Sequence, residues 1–488
     1  MATVIKEMLK NVDKELISEF QSLPIDIWDF KDEDVRFGTH GIHNYPAVMV
    51  YPISRKLLSI FKKYQPIKTL LDPYMGSGTC LVEGILADLD SVYGTDLNPL
   101  ARLISRVKTK AIEPDILNEQ ISHLFYNLDY NFTELRKIID KFDDYVRKEK
   151  KLDVTAKDGW GSNAVEITKE YLAMHNIDLY LPEISNLGYW FLPRVVLELQ
   201  IIKNCIKLIE NKDVRNFLWV CFSEVVRLTS NRRNGEFKMY RMDKEKLKTF
   251  NPNVLEIFMN TVQKNEQKML EFYDAYSQKQ KNTQVHIYNN NAMTLENIPD
   301  EEIDIVITSP PYGDSRTTVA YGQFSRTALE WLDMHETDST EEELDERKIR
   351  AIDSNLLGGK IDKNMEFNLP SPTLREAYEQ IKQKDEKRAL EVYAFYRDLN
   401  ESIRAITSKM KKNGYQCWVV GNRTVKEIQL PTHQILIELA EHHGNAYVTT
   451  LVRNISNKVM PLLNSPTNKT GQKVATMTNE HIVIIRKQ

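Results

Sequence analysis

Two short stretches of this chain combine residue types that can hold a small ligand and act on a planar one. The first is LDPYMGSGT, residues 71–79. Gly76 and Gly78 lack side chains, so the backbone can turn tightly there and a ligand can lie against it. Position 81, where dinucleotide loops place a third glycine, is Leu81, and no Gly-Lys-Ser/Thr phosphate loop follows, which disfavours dinucleotides and triphosphates. Asp96 follows Gly76 at about the 20-residue spacing expected of an acid that accepts from ribose hydroxyls. An adenosine-containing cofactor without a pyrophosphate satisfies both facts. The second stretch is IDIVITSPPYGDS, residues 303–315. Ser309 brings a hydroxyl, Pro310 and Pro311 fix the backbone and remove two N–H donors, and Tyr312 adds an aromatic plate. Acceptors beside a stacking face suit a planar heterocycle bearing an amino group. A lone GxG or Pro-Pro turn is commonplace; the two together, flanked by Asp72 and Asp96, are not.

These residues need a scaffold, and the surrounding periodicity supplies one. KTLLDPY reads as a strand, GTCLVEGILADL as a helix and SVYGTDLNP as a second strand, a strand–turn–helix–strand unit. From residue 111 to 282 amphipathic and apolar helical patterns take over, such as LPRVVLELQIIKNCIKLIE and NFLWVCFSEVVRL. Strand signals return in QVHIYNNNAMTL and IDIVITS, followed by helices over 371–410, the strand YQCWVVG, the helix HQILIELAEHHG, and closing strands NAYVTTLVR and EHIVIIRK. The expected class is α/β, a doubly wound, mostly parallel sheet. Residues 1–110 carry the N-terminal helix and the cofactor half, 111–282 a helical insertion, and 283–488 the catalytic half.

Composition narrows the function classes. Lys plus Arg number 65 against 69 Asp plus Glu, so any nucleic-acid surface must be local. A mean hydropathy of −0.44 and the lack of a long apolar run argue against a membrane protein. Cys80, Cys205, Cys221 and Cys417 are scattered, which fits neither a zinc site nor a disulfide framework and points to a reducing, cytoplasmic setting. His40 and His43 lack further ligands at metal spacing and read as polar loop positions; no metal is expected. The acidic run ETDSTEEELDE reads as a solvated helix face, and LVRNISNKVMPLLN, with Arg453, Asn457 and Lys458, as a connection that could border a cleft.

The two motifs together resemble the S-adenosylmethionine-dependent DNA methyltransferases that modify exocyclic amines. LDPYMGSGT is similar to that family's cofactor loop and TSPPY to its catalytic tetrapeptide, while HNYPAVMVYPISRKLL resembles the element that closes over the methionine end. The resemblance implies a seven-stranded methyltransferase sheet, S-adenosylmethionine as cofactor, and double-stranded DNA as substrate. It also implies a restriction–modification setting with a cognate endonuclease as partner. Asp72, Tyr74, Gly76, Gly78, Thr79, Asp96 and Asn98 would hold the cofactor, together with Asn291 and Ala292 where the family often has an acidic residue. Ser309, Pro310, Pro311 and Tyr312 would act on the flipped base. Serine at the first tetrapeptide position is associated with cytosine N4; adenine N6, an RNA base, and a non-catalytic nucleic-acid binder stand as alternatives. DNA contacts are expected from the basic-aromatic stretch RLTSNRRNGEFKMYRMDKEK, through Arg232, Arg233, Lys238, Tyr240 and Arg241, and from Arg316 and Arg326 beyond the tetrapeptide. A solvated loop and an active-site cover explain those two stretches nearly as well.

Overall fold

The computed structural model describes residues 2–46, 48–179, 181, 184, 186–235, 237–313, 320–332, 346–362, 366–455, 463–464, 474–475 and 479–488. Its centre is a seven-stranded sheet of β1 (Thr69–Asp72), β2 (Ser91–Thr95), β3 (Gln284–Tyr288), β4 (Ile303–Thr308), β5 (Met410–Gly421), β6 (Asn445–Asn454) and β7 (Asn479–Lys487). The spatial order is β3-β2-β1-β4-β5-β7-β6. All strands run parallel except β7, which pairs antiparallel with both β5 and β6. This is a methyltransferase-type α/β sheet, and the closing strands are an antiparallel pair with the last strand slotted inside.

Strand residues alternate between two apolar layers, as the pleat requires. Leu70, Ile305, Ile307, Cys417, Ile482 and Ile484 enter one core cluster, and Leu71, Val306, Trp418, Val420, Val483 and Ile485 the other. Helices cover both faces, which explains near-continuous apolar runs such as IDIVIT. On the first face lie α1 (Ala2–Ser22), α2 (Tyr51–Tyr64), α3 (Thr79–Leu86) and α4 (Pro99–Lys108).

Between β2 and β3 the insertion supplies α5 (Pro114–Asp144), α6 (Ala164–Met174), α7 (Pro193–Lys207), α8 (Lys212–Thr229) and α9 (Val254–Ser277). Along α5 the buried residues Leu117, Ile121, Leu124, Leu128 and Phe132 recur every three or four positions, one stripe of an amphipathic helix. In α8 every residue from Asn216 to Arg227 is buried, as for a helix surrounded by others. Apolar side chains of the insertion belong to the same cluster as the first face of the sheet, so its helices share a core with the catalytic sheet. After β4 come α10 (Tyr321–Trp331) and α11 (Glu346–Asn355); α12 (Pro372–Lys384), α13 (Glu386–Lys409) and α14 (Thr432–His442) build the second face. The acidic run over 336–345 and the stretch from 456 to 462 lie outside the described residues.

Candidate functional site

At the carboxyl ends of β1, β2 and β4 the two motifs meet around a cleft, the place where open α/β sheets bind ligands. Its wall includes Asp72, Tyr74, Gly76, Ser77, Thr79, Asp96, Asn98, Asn291, Ala292, Ser309 and Pro311. The loop after β1 demands its glycines. Gly76 and Gly78 have φ of +50° and +78°, in the left-handed region, and a Cβ on Gly78 would stand 2.9 Å from the Ser105 side chain. Ser105 Oγ also donates to the Gly76 carbonyl at 3.0 Å, so α4 braces the loop from behind.

Asp96 caps the end of β2. The Gly76 N–H donates to one carboxylate oxygen at 3.1 Å and the Asn98 N–H to the other at 2.8 Å. Each oxygen keeps acceptor capacity, which fits a vicinal diol. Burial raises the Asp96 carboxyl to about 6, against the pull of the Asn98 N–H, Arg102 and the Gly76 N–H. Asp72 is raised by burial to about 6 as well, although Thr308 Oγ1 donates to it at 2.6 Å. Thr79 Oγ1 is a buried hydroxyl facing no hydrogen-bond partner among the described residues. An orphan hydroxyl, a cradle closed to side chains and a diol-accepting carboxylate fit S-adenosylmethionine.

Several flagged side chains have structural duties too. The Asn98 side chain accepts from Leu100 N–H as the cap of α4 and donates to Tyr45 Oη at 3.0 Å and Ser325 Oγ at 2.7 Å. Its amide is spent on binding the wall together. Tyr74 Oη donates to Ser402 Oγ at 2.7 Å, and the Asn291 side chain accepts from the Met293 N–H. The cover comes from the two segments the sequence placed near the cleft: Tyr45 and Tyr321 stack at 6.1 Å between ring centroids, and Met49 lines the same cleft beside Leu357, which sequence reasoning missed. The aromatic residues were visible in HNYPAV and VAYGQF, but nothing in their spacing announced that they meet.

The tetrapeptide follows β4 directly. Ser309 Oγ donates to Tyr312 Oη over 3.4 Å, and Tyr312 Oη donates to Glu480 Oε1 at 2.8 Å. Arg453 Nη1 holds the other Glu480 oxygen at 2.7 Å. Burial, with Glu480 alongside, keeps the Tyr312 phenol protonated far above neutrality. Tyr312 is thus fixed at its hydroxyl end by β7, a link that the alternating pattern of EHIVIIRK did not reveal.

The basic-aromatic stretch departs from the expectation. Residues 231–235 and 237–242 form the two arms of a hairpin whose base is an antiparallel bridge between Arg232 and Arg241. Arg232 is fully buried; its Nη1 donates to the Phe324 carbonyl at 3.0 Å and Nη2 to the Phe237 carbonyl at 3.3 Å. Arg241 donates to the carbonyls of Tyr189, Ala156 and Val154. Both guanidinia tie backbone together, Arg232 fully buried between the insertion and α10 and Arg241 half-buried against the insertion. Arg233 and Tyr240 are exposed at the tip and Lys238 half-buried. Arg326 is half-buried on α10, and Arg316 lies outside the described residues. His40 and His43, read as polar loop positions, are buried: His40 Nε2 meets Glu83 Oε1 at 2.8 Å and His43 Nε2 lies 3.6 Å from Glu224.

Among the described residues no helix is long and apolar enough to cross a membrane, and no three His, Cys, Asp or Glu side chains are grouped to hold a metal ion. The four cysteines are buried free thiols. No protein-family model matches the chain, and no solved structure matches it significantly. Among curated proteins, the Type II methyltransferase M.MvaI of Kocuria varians is 40% identical over 491 residues, covering 98% of each chain. The Type II methyltransferase M.MjaII of Methanocaldococcus jannaschii is 26% identical over 213 residues, 38% of this chain and 39% of its own. Sheet order, cleft and near-full-length identity agree: the chain belongs to the Type II methyltransferases, site-specific DNA methyltransferases of restriction–modification systems that take their methyl group from S-adenosylmethionine.

Proposed function

We propose that this enzyme methylates the exocyclic N4 amine of a cytosine extruded from double-stranded DNA, with Asp72, Asp96 and the 76–79 loop holding the cofactor. The observation that carries the reading is the hydrogen-bond direction at Ser309. Tyr312 Oη gives its one proton to Glu480 at 2.8 Å and takes no lone pair of Ser309, whose hydroxyl borders the cleft and can accept from an amine. An exocyclic amine is a poor nucleophile because its lone pair is delocalised into the ring. Acceptors on its hydrogens, Ser309 Oγ and the Pro310 carbonyl, favour a pyramidal nitrogen whose lone pair is free for in-line attack. The sulfonium of the cofactor supplies an activated methyl group. Tyr312, anchored through Glu480, offers its ring to the extruded base and offsets part of the few kcal/mol that flipping costs.

Target recognition in this reading falls to the 111–282 insertion, through the exposed tip of the 231–242 hairpin, and a cognate endonuclease shares the site. Incubation with methyl-labelled S-adenosylmethionine and plasmid, followed by digestion to nucleosides, tests the assignment. Label is expected in N4-methylcytosine; label in N6-methyladenine overturns the choice of base.

A further inference from the structure

Behind the glycine loop lies a cluster of ionisable side chains that the reaction above does not use. Lys108 ends α4 and turns inward, only 2% exposed. Its Nζ donates to Ser77 Oγ at 3.3 Å, and among the described residues no carboxylate lies within ion-pair distance of it. Glu83 is close enough to act on it electrostatically, but both oxygens of Glu83 are already engaged by Arg55 and His40. A lysine buried without its own counterion is rare and unfavourable. Something else must make it useful.

On the other side of Ser77 is the cleft. Ser77 and Thr79 line it, Thr79 Oγ1 has no hydrogen-bond partner among the described residues, and the first turn of α3 starts there. Orphan donors at a helix N-terminus, backed by a buried cation, make a site for an anion. S-adenosylmethionine carries one anionic group, its carboxylate. We propose that Lys108 is a positioning residue for the cofactor: through Ser77 it supplies the positive charge opposite that carboxylate. The proposal rests on the assignment of this cleft to the cofactor.

A consequence follows from the surroundings of Lys108. Burial pulls its ammonium down to about 7, with Cys80 and Glu83 pulling the other way. Cys80 on α3 is held neutral by burial, and His40, lowered to about 4 by burial, is neutral as well; His43 on the far side is lowered to about 4 in the same way. Glu83 is held by Arg55 from α2. Lys108 is therefore the member of the cluster that changes charge near neutrality, and an arriving carboxylate favours its protonated form.

Calorimetric titration of S-adenosylmethionine into the full-length, DNA-free protein at pH 7.5, in two buffers of different ionisation enthalpy, reads this directly. Relative to Lys108→Arg, which keeps the charge but cannot lose it, the wild type should take up about half to three quarters of a proton more. Lys108→Arg should bind within about threefold of wild type, and Lys108→Met at least about tenfold more weakly. Decarboxylated S-adenosylmethionine should remove the extra proton uptake from wild type and bind wild type and Lys108→Met alike. Equal proton uptake in wild type and Lys108→Arg overturns the proposal, as does an equal loss of both ligands in Lys108→Met. The wild-type titrations with the two ligands stand even if Lys108→Met does not fold. Asp96→Ala separates the two levels: unchanged affinity there overturns the cleft assignment itself, whereas a loss there with Lys108→Met indifferent overturns only the role of Lys108.

Discussion

Around residues 71–79 the backbone does the presenting, and around 231–242 the side chains hold up the backbone. In the glycine loop two left-handed glycines turn amides and carbonyls toward Asp96, Ser105 and the cleft, and the flagged residues converge on one volume. In the hairpin the charged residues diverge. Arg232 and Arg241 satisfy five carbonyls between them, those of Phe324, Phe237, Tyr189, Ala156 and Val154, while Arg233, Phe237 and Tyr240 face out. A loop whose chemistry is written in dihedral angles has one arrangement. A run of arginines has as many roles as the packing around it dictates.

The largest effect should come from filling the glycine loop. Gly78→Val adds a branched Cβ at φ +78°, where even one Cβ stands 2.9 Å from Ser105, so cofactor affinity should fall more than about 100-fold. Equilibrium binding of S-adenosylmethionine measures it, and near-normal affinity would mean that backbone geometry is not what shapes this end of the cleft. The hairpin should respond differently. Arg232→Met removes a fully buried guanidinium that donates to the Phe324 and Phe237 carbonyls, a loss of about 2–4 kcal/mol in urea unfolding. Its damage should appear in stability before DNA affinity. A fully stable Arg232→Met protein with weakened DNA binding would return Arg232 to the nucleic-acid surface.

That asymmetry explains what could be read from the chain alone. The order of strands and helices was legible because strands buried on both faces read as apolar runs and the insertion reads as helical stripes. The meeting of Asp72, Gly76, Asp96 and Ser309 at one cleft was legible because each stands at or just past the end of an apolar strand run. What was hidden depends on residues far apart in the chain: Tyr45 over Tyr321, Tyr312 on Glu480, and Arg232 under Phe324. The burial of His40 and His43 was hidden for the same reason, since their partners Glu83 and Glu224 come from α3 and from α8 of the insertion. Charge in a sequence says what a residue can do, and burial decides which of those things it does.

Acid should separate the two regions by an intermediate amount. Asp96 and Asp72 are both raised to about 6 by burial, so their charged forms are lost as pH falls through that value. Cofactor affinity should weaken by about tenfold or more per pH unit below about 6, and Asp96→Asn should flatten part of that limb. If exposed lysines and arginines carry the DNA affinity of the cofactor-free protein, that affinity should not follow the same curve. Parallel loss of both would point to a shared conformational change in place of two local titrations.

The smallest effect belongs to the tip of the hairpin. Arg233 is exposed, so Arg233→Met should leave unfolding within about 0.5 kcal/mol of wild type. If the tip meets the DNA backbone, one lost phosphate contact lowers the slope of log affinity against log salt by about one and weakens binding severalfold at physiological salt. A slope equal to that of wild type would remove Arg233 from the interface and shift the search to Arg326 on α10. Side by side with Arg232→Met, the two neighbouring substitutions test whether one arginine serves the fold and the other the DNA, although a single peptide bond separates them.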